Sequence, residues 1–417
     1  MKLTALLIGA GGRGYYAYAP YAKNYPHELE FVAVAEPDPV RRQLFADCYG
    51  IGQQNVFADW QEALSRSKMA DVVFICTQDR MHFDPTMMAL QQGYHVLLEK
   101  PISPEAGECL LMEQEAALRQ RILTVCHVLR FTPFWSQVKA VLQEGAIGEI
   151  VSVQLNENVG YFHMAHSFVR GNWRHAAQSS PMILAKSCHD MDLLSWLVDQ
   201  ECTRISSFGS LMHFRPEHAP QNSAQRCTDG CLAESACPYA APRFYLGDGR
   251  EWAKFITADL SNSGIIHALQ EGPYGRCVYR CDNDVVDHQV VNAEFAGGAT
   301  ALFNMCGFTR DSSRHIQIMG TKGEIRGFME QSRFVVFDFL THRETEVKVH
   351  APGTGHHGGD EGLVRSFLRE VRELEGAGGT YHVKSVIQGH MMCFAAEESR
   401  VNGGKTVVMS DYRKNFG

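Results

Sequence analysis

Three glycines near the amino terminus, Gly9, Gly11 and Gly14, carry the spacing G-x-G-x-x-G. A strand-like apolar run precedes them and a helix-like run follows. In that setting the first glycine permits a tight turn, and the second lets backbone approach a pyrophosphate. The third lets helix and strand pack closely. Gly12 and Arg13 complete the loop and are assigned to the same binding surface. Glycine-rich turns are common in isolation, so the reading depends on an acid further along. Glu36 supplies it, ending the apolar run Val32 to Ala35 at 22 residues after Gly14. That interval is near the roughly 20 residues expected for a carboxylate that takes the ribose hydroxyls. A carboxylate there repels a 2′-phosphate, so NAD is expected over NADP; Arg41 and Arg42, close by, favour the reverse.

The segments that must position this loop alternate in type. Residues 70–76 form a continuous apolar run of the kind buried on both faces of a parallel sheet. The run ends in a polar loop containing Thr77, Asp79 and His82. Ligands of α/β sheets bind at the carboxyl ends of strands, which places these three at the cofactor. A helix over 85–92 stops at Gly93, and a strand over 95–98 leads into Glu99-Lys100-Pro101. A helix from about 104 to 119 and a strand over 122–126 follow. This alternation predicts an α/β Rossmann domain, a doubly wound parallel sheet, over residues 1–128. A helix over 134–144 and an alternating strand from Ile150 open a second domain, 129–417.

Taken in order, these motifs resemble those of the glucose–fructose oxidoreductase/inositol dehydrogenase (Gfo/Idh/MocA) family. The resemblance begins with the glycine loop, Glu36 and Glu99-Lys100-Pro101. It continues through Arg130-Phe131, Gly145-Ala146-Ile147-Gly148-Glu149, Trp173-Arg174, His189 with Asp192, and Gly320 to Ile325, so it spans nearly the whole chain. It implies an α+β second domain with an open, mostly antiparallel sheet whose one face covers the nicotinamide. It also implies a cis bond before Pro101 and a homodimer or homotetramer formed through the sheet's outer face.

Catalytic roles follow from the same resemblance. Glu99 belongs to the cofactor set and Lys100 to both the cofactor and the catalytic sets. Oxidising a sugar hydroxyl needs a base for the proton while hydride leaves for the nicotinamide. A lysine serves if a nearby cationic nicotinamide and partial burial lower its pKa. His189 matches the family's active-site histidine and would bond or protonate the reacting oxygen, with Asp192 orienting it. Residues 180–193 read as one helix, on which Lys186 and His189 would meet Lys100 over the substrate. The chain departs from the family at Ala185, where an aspartate is usual, and at Ser187, where many members have glycine. Lys186 then becomes a second cation suited to an acidic or heavily hydroxylated substrate. For the substrate itself the expected contacts are Arg130, His166, Trp173 and Arg174, with Asp284 and His288 near the strand that begins at Gln289.

An insertion of about 208–281 exceeds the family's minimal pattern. It holds Cys227-x3-Cys231-x5-Cys237 and, forty residues on, Cys277-x3-Cys281. Reduced thiols so clustered fit a structural zinc site built from Cys227, Cys231, Cys237 and Cys277, with Cys281 as the alternate fourth ligand. Five small buried residues are the competing explanation. Near the other end, the glycine- and histidine-rich stretch 353–360 precedes a helix over 363–374. Its histidines could reach the substrate or a metal, and Asp360 is expected to cap the helix.

A net charge of -8 and a pI near 6.2 exclude nucleic acid or an anionic membrane as standing partners. No apolar run is long enough for a bilayer, and no export signal is read, so a cytoplasmic protein is expected. The expected function is NAD-dependent hydride transfer from a hydroxyl of a sugar, glycoside, inositol or sugar acid. Two alternatives use the same parts. One is a redox-neutral glycoside hydrolase that oxidises, eliminates, hydrates and reduces again; the other is a sugar or dinucleotide sensor without chemistry.

Overall fold

The computed structural model describes residues 2–350, 353, 355–376 and 387–416. Two sheets organise them. The first contains β1 (Leu3–Ile8), β2 (Leu29–Ala35), β3 (Val56–Phe57), β4 (Val72–Ile75), β5 (His95–Leu98) and β6 (Leu123–Val125). Their order is β3-β2-β1-β4-β5-β6, and every pair is parallel. All four residues of β4 and of β5 are buried, because helices cover both faces. The doubly wound Rossmann sheet read from the sequence is present, with the order reversing beside β1.

The second sheet has nine strands: β7 (Ile150–Asn158), β8 (Cys202–Ser210), β9 (His288–Phe295), β10 (Thr300–Cys306), β11 (Ser313–Gly320), β12 (Gly323–Phe328), β13 (Arg333–Asp338), β14 (Glu344–Lys348) and β15 (Val407–Val408). They run in the order β14-β13-β12-β11-β7-β10-β9-β8-β15. The pair β7 and β10 is parallel and the others are antiparallel, so the sheet is open and mostly antiparallel, as the resemblance implied. Burial alternates along β9 and β10, giving one face to the core and one to water.

Two local expectations change. The segment over 180–193 is two helices, Met182–Ala185 and Cys188–Val198, because Lys186 and Ser187 leave the helical path between them. The chain after the glycine loop winds as a π-helix, Gly12–Tyr18, closed by Ala19 N–H to the Gly14 carbonyl. A five-residue α-helix, Pro20–Asn24, follows it. The late helix Gly359–Glu375 packs against the first sheet: Leu363, Val364, Phe367, Leu368 and Val371 lie on Leu7, Phe31, Val34 and Phe74. Its apolar stripe recurs at helical spacing and finds its match on the Rossmann strands. The two sheets are therefore tied together by chain that crosses back.

Between β8 and β9 the insertion forms short helices, among them Ala241–Leu246 and Asn262–Glu271, around a small core of Ala241, Tyr245, Ala253, Ile265 and Leu269. The expected last helix near 385–400 appears as Gln388–Val401; Ser385, Val386 and the loop 377–379 lie outside the described residues.

Candidate active site

At the amino-terminal end of the site, two glycines are fixed by the protein's own packing. Gly9 has φ +91°, and a Cβ there would stand 2.6 Å from the Cys76 carbonyl oxygen; at Gly14 it would collide with the Gly9 carbonyl. Gly11 and Gly12 are different, since a Cβ at either would meet nothing within 4 Å. Their bare backbone faces open space, which fits a pyrophosphate approaching the loop. Glu36 is buried and bonded at both oxygens, accepting from Ala10 N–H at 2.7 Å and Asp38 N–H at 3.0 Å. It fastens the glycine turn to the end of β2.

The polar loop after β4 is taken up largely by internal bonds. His82 is fully buried, with Nδ1 2.8 Å from the Pro101 carbonyl and Nε2 3.2 Å from the Thr77 carbonyl. Asp79 accepts from Ser179 and Ser180 Oγ at 3.1 and 3.2 Å, joining the end of β4 to the segment before the helix Met182–Ala185. Thr77 Oγ1 donates to the Met81 carbonyl. These contacts place His82 and Asp79 as supports for the turns around the site.

Glu99, at the end of β5, is the hub of a polar frame. Its Oε2 accepts from Lys100 N–H at 2.6 Å, and its Oε1 accepts from Arg13 Nε and Tyr18 O–H, both at 2.6 Å. Burial pushes its carboxyl up, but Arg13 and Lys100 outweigh that and hold it below the usual range. Arg13 Nη2 also donates to Asp360 at 2.8 Å. Asp360 in turn meets His356 Nδ1 at 3.0 and 3.2 Å. Burial raises the Asp360 carboxyl, while His356 and Arg13 pull it well below the ordinary value. The cap expected of Asp360 is absent: Gly358 is the N-cap residue, and the carboxylate serves this frame instead.

Lys100 projects from the turn whose Lys100–Pro101 bond is cis. Its Nζ donates to the Ala185 carbonyl at 2.8 Å. That carbonyl lies at the break between Met182–Ala185 and Cys188–Val198, so the interrupted helix supplies the lysine's partner. His189 follows in the first turn of the second piece. It is 8% exposed, its Nδ1 has no hydrogen-bond partner among the described residues, and burial, Lys100 and His127 push its pKa well below the usual value. It is therefore a neutral imidazole beside Lys100.

Lys186 does not join them freely. Its Nζ is paired with Glu157, which also binds Arg314, and Arg314 Nε donates to Asp190 at 2.7 Å. Burial raises the Asp190 carboxyl to about 7 against the pull of Arg314. Asp192 forms a bidentate pair with Arg130, its Oδ1 also 3.7 Å from His127 Nε2, and is 1% exposed. Arg130 and Asp192, expected as substrate and catalytic groups, are thus paired with each other.

The remaining substrate candidates are taken up by contacts in and beside the insertion. His166 contacts Tyr245 O–H at 2.6 Å through Nδ1 and stacks on Tyr274. Arg174 binds Asp282 through two nitrogens, and Asp284 accepts from Ala176 N–H at 2.7 Å. His288 Nδ1 meets Asp287, and Trp173 packs half-buried near Phe168. None of these five bonds to Lys100 or His189 among the described residues. Of the chain between β7 and β8, this stretch lies beside the insertion while Ala185 farther along meets Lys100, a split that its sequence could not reveal.

Three imidazoles near Lys100 and His189 were not singled out as site residues. His127, at the carboxyl end of β6, is buried with both ring nitrogens lacking a hydrogen-bond partner, 5.9 Å from the His189 ring. His163 sits among Lys186, His166 and Lys100, with burial depressing its pKa. The His356 ring lies 6.4 Å from that of His189. The strand-end rule would have found His127. Nothing local marks His163, and the histidine-rich stretch pointed to His356 without a place for it.

Cys227, Cys231, Cys237 and Cys277 do come together, around a cavity of about 20 Å³ beneath Arg170. Arg170 donates to Cys227 Sγ at 3.7 Å and to the Tyr239 carbonyl at 2.7 Å. Burial raises the thiols of Cys237, Cys277 and Cys281. Among the described residues, no three His, Cys, Asp or Glu side chains are grouped as metal ligands, so the zinc site is not supported. The insertion is held by its apolar core, by Arg170, and by the paired Cys227 N–H to Gly275 and Cys277 N–H to Gln225 backbone bonds.

A dinucleotide sheet whose strand ends face an open antiparallel sheet, with a lysine between them, defines a two-sheet dehydrogenase architecture. Residues 3–127 match the model of the oxidoreductase family with an NAD-binding Rossmann fold, and residues 135–326 match the GFO/IDH/MocA C-terminal domain. The chain belongs to the Gfo/Idh/MocA oxidoreductase family. It is 23% identical to the putative oxidoreductase YteT of Bacillus subtilis over 93% of this chain and 94% of that one. Inositol 2-dehydrogenase 4 of Saccharopolyspora erythraea is 30% identical over 49% of this chain and 56% of its own length. Among solved structures, a levoglucosan dehydrogenase in complex with NADH and levoglucosan superposes with a TM-score of 0.72 at 18% identity, covering 98% and 99% of the two chains. No helix among the described residues is long and apolar enough to cross a membrane.

Proposed function

We propose that the protein is an NAD-dependent dehydrogenase of a sugar, glycoside, inositol or sugar acid. The observation that carries this reading is the pairing of Lys100 with the Ala185 carbonyl beside the neutral His189, at the carboxyl ends of the parallel strands. Gly11 and Gly12 would hold the pyrophosphate and Glu36 the adenosine ribose, which favours NAD over NADP. The nicotinamide supplies the hydride acceptor. Lys100 takes the hydroxyl proton as the carbon is oxidised. His189, short of a partner at Nδ1, bonds the reacting oxygen and holds it toward the lysine. Lys186, fixed by Glu157, bounds the site with positive charge. Inositol and levoglucosan, named in the relatives' activities, set the size of the hydroxylated ring expected.

The test is to incubate purified protein with NAD and a panel of polyols, sugars and aryl glycosides. Nicotinamide absorbance and released aglycone are followed together. NADH formation with a polyol or sugar supports the dehydrogenase reading; no NADH across the panel refutes it. One observation favours the redox-neutral alternative: His163, His189 and His356 are more proton-transfer groups than a single hydroxyl oxidation uses. Aglycone release without net NADH, with solvent deuterium appearing at a sugar carbon, would assign that chemistry instead. A homodimer or homotetramer through the outward face of the second sheet accompanies either reading. There Gln154, His315, Gln317 and Arg333 line a broad polar groove.

A further inference from the structure

The stretch just before the helix Gly359–Glu375 is built at an energetic cost. His356 (φ 45°, ψ 46°) and His357 (φ 52°, ψ 38°) are successive non-glycine residues in the left-handed region. A residue with a Cβ is strained in this region, and glycine would adopt the same backbone without strain. Gly353, Gly355, Gly358 and Gly359 surround the pair, so the strained positions are ones where a side chain has been kept. Strain of this kind persists where the surrounding structure over-determines it, and here the restraint is visible. Asp360 fixes His356 at Nδ1, Arg13 fixes Asp360, and Glu99 fixes both Arg13 and the backbone of Lys100. The frame that mounts Lys100 therefore also mounts His356.

With Nδ1–H donated to a carboxylate, Nε2 of His356 is left as the basic nitrogen, the arrangement in which an acid orients an imidazole for proton transfer. His189 has no carboxylate and is kept neutral by burial. The two ring centroids are 6.4 Å apart. One oxygen bonded to both imidazoles at about 2.8 Å, with a tetrahedral angle between the bonds, sets their nitrogens roughly 4.6 Å apart and their centroids roughly 6 to 7 Å apart. The observed separation of 6.4 Å matches that of two imidazoles sharing one oxygen, and His189 Nδ1 is a buried polar atom lacking a partner among the described residues.

We propose that the Asp360–His356 pair is a second acid–base group of this site, and that His189 and His356 bracket one oxygen of the bound carbohydrate. The inference rests on the dehydrogenase reading above. Lys100 breaks the O–H bond of that hydroxyl, and His356 Nε2 takes the proton on from the Lys100 ammonium and returns it by the same path when the carbonyl is reduced. The partly exposed ring, 42% open, can exchange that proton with water. No electrons move in this step.

The test uses the full-length His356→Gly and His356→Gln variants with NAD and the polyol or glycoside that the wild type oxidises fastest. Glycine relieves the left-handed strain, so H356G is expected to melt at or above the wild-type temperature. Its kcat is expected to fall at least about 100-fold, the usual worth of a positioned acid–base group. KM for NAD should stay within about twofold, and tens of millimolar imidazole should restore roughly tenfold or more of the lost rate. A kcat for H356G within about threefold of wild type, or a loss that imidazole does not relieve, overturns the proposal. If the wild type oxidises nothing in the panel, the dehydrogenase reading fails, and the dyad is judged by a separate readout. Diethylpyrocarbonate modification of His356, followed by mass spectrometry, should slow about fivefold or more with saturating NADH. Equal rates with and without NADH overturn the placement of His356 in the site.

Discussion

Lys100 donates from Nζ to the backbone carbonyl of Ala185, 2.8 Å away and 85 residues later in the chain. The partner is a carbonyl at a helix break, so the ammonium is held in place without a carboxylate of its own. This contact locates the proposed base relative to His189, which begins the next helical turn.

Replacing Lys100 by Met keeps the length of the side chain and removes its nitrogen. Turnover should fall at least about 100-fold, with the affinity for NAD changed less than about twofold. Initial rates and a fluorescence titration of NADH check the two halves of the statement. Retained turnover removes Lys100 from its role.

The glycine loop separates into positions needed for folding and positions needed for the cofactor. Gly9→Ala forces a Cβ against the Cys76 carbonyl at φ +91° and should destabilise by about 2 to 3 kcal/mol. Gly12→Ala meets no neighbour, so stability should be nearly unchanged while NADH binding weakens tenfold or so. Urea midpoints and NADH titrations on the same two proteins distinguish these outcomes.

Arg13 holds two buried carboxylates, Glu99 and Asp360, that face each other through its guanidinium. Arg13→Met leaves both without their shared cation and should cost about 3 kcal/mol of stability. Denaturant unfolding at pH 7 measures it. A change below about 0.5 kcal/mol would mean that the frame does not support the fold.

Asp192→Asn is expected to act through stability rather than chemistry. It breaks a bidentate pair with Arg130 at a carboxylate that is almost wholly buried, costing about 3 kcal/mol. KM for NAD and the effect of imidazole should stay as in wild type. A selective loss of kcat at full stability would return Asp192 to the catalytic set.

Stability should decline on acidification. Burial holds His127, His189 and His390 neutral in the folded protein, well below their ordinary pKa. Above about pH 6.5 they are neutral in both states. Below it the unfolded chain takes up three protons that the folded chain refuses. Asp190, raised to about 7, works the other way, because folded protein holds its proton while the unfolded chain has lost it. His163 and His166, also depressed by burial, add to the unfolded side, so the histidines outnumber Asp190 and stability should drop as the pH falls from 6 to 5. Urea midpoints across that range test the sign.

The alternation of strands and helices, the tight turn at Gly9, the crowded contact at Gly14 and the strand-ending Glu36 were all legible in the sequence. Each depends on near neighbours: apolar periodicity, a turn that needs glycine, an interval set by one helix. Lys100 and His189 were legible through motif order. What each polar side chain is bonded to was not. Arg13 meets Asp360 at a separation of 347 residues and Arg130 meets Asp192 at 62. A sequence shows that a buried charge must be paired, but which partner it takes depends on how the two sheets and the returning helix Gly359–Glu375 pack. That packing paired Asp192 with Arg130 and Lys186 with Glu157, drew four cysteines round a cavity without a metal-ligand grouping among the described residues, and brought the His356 ring within 6.4 Å of that of His189.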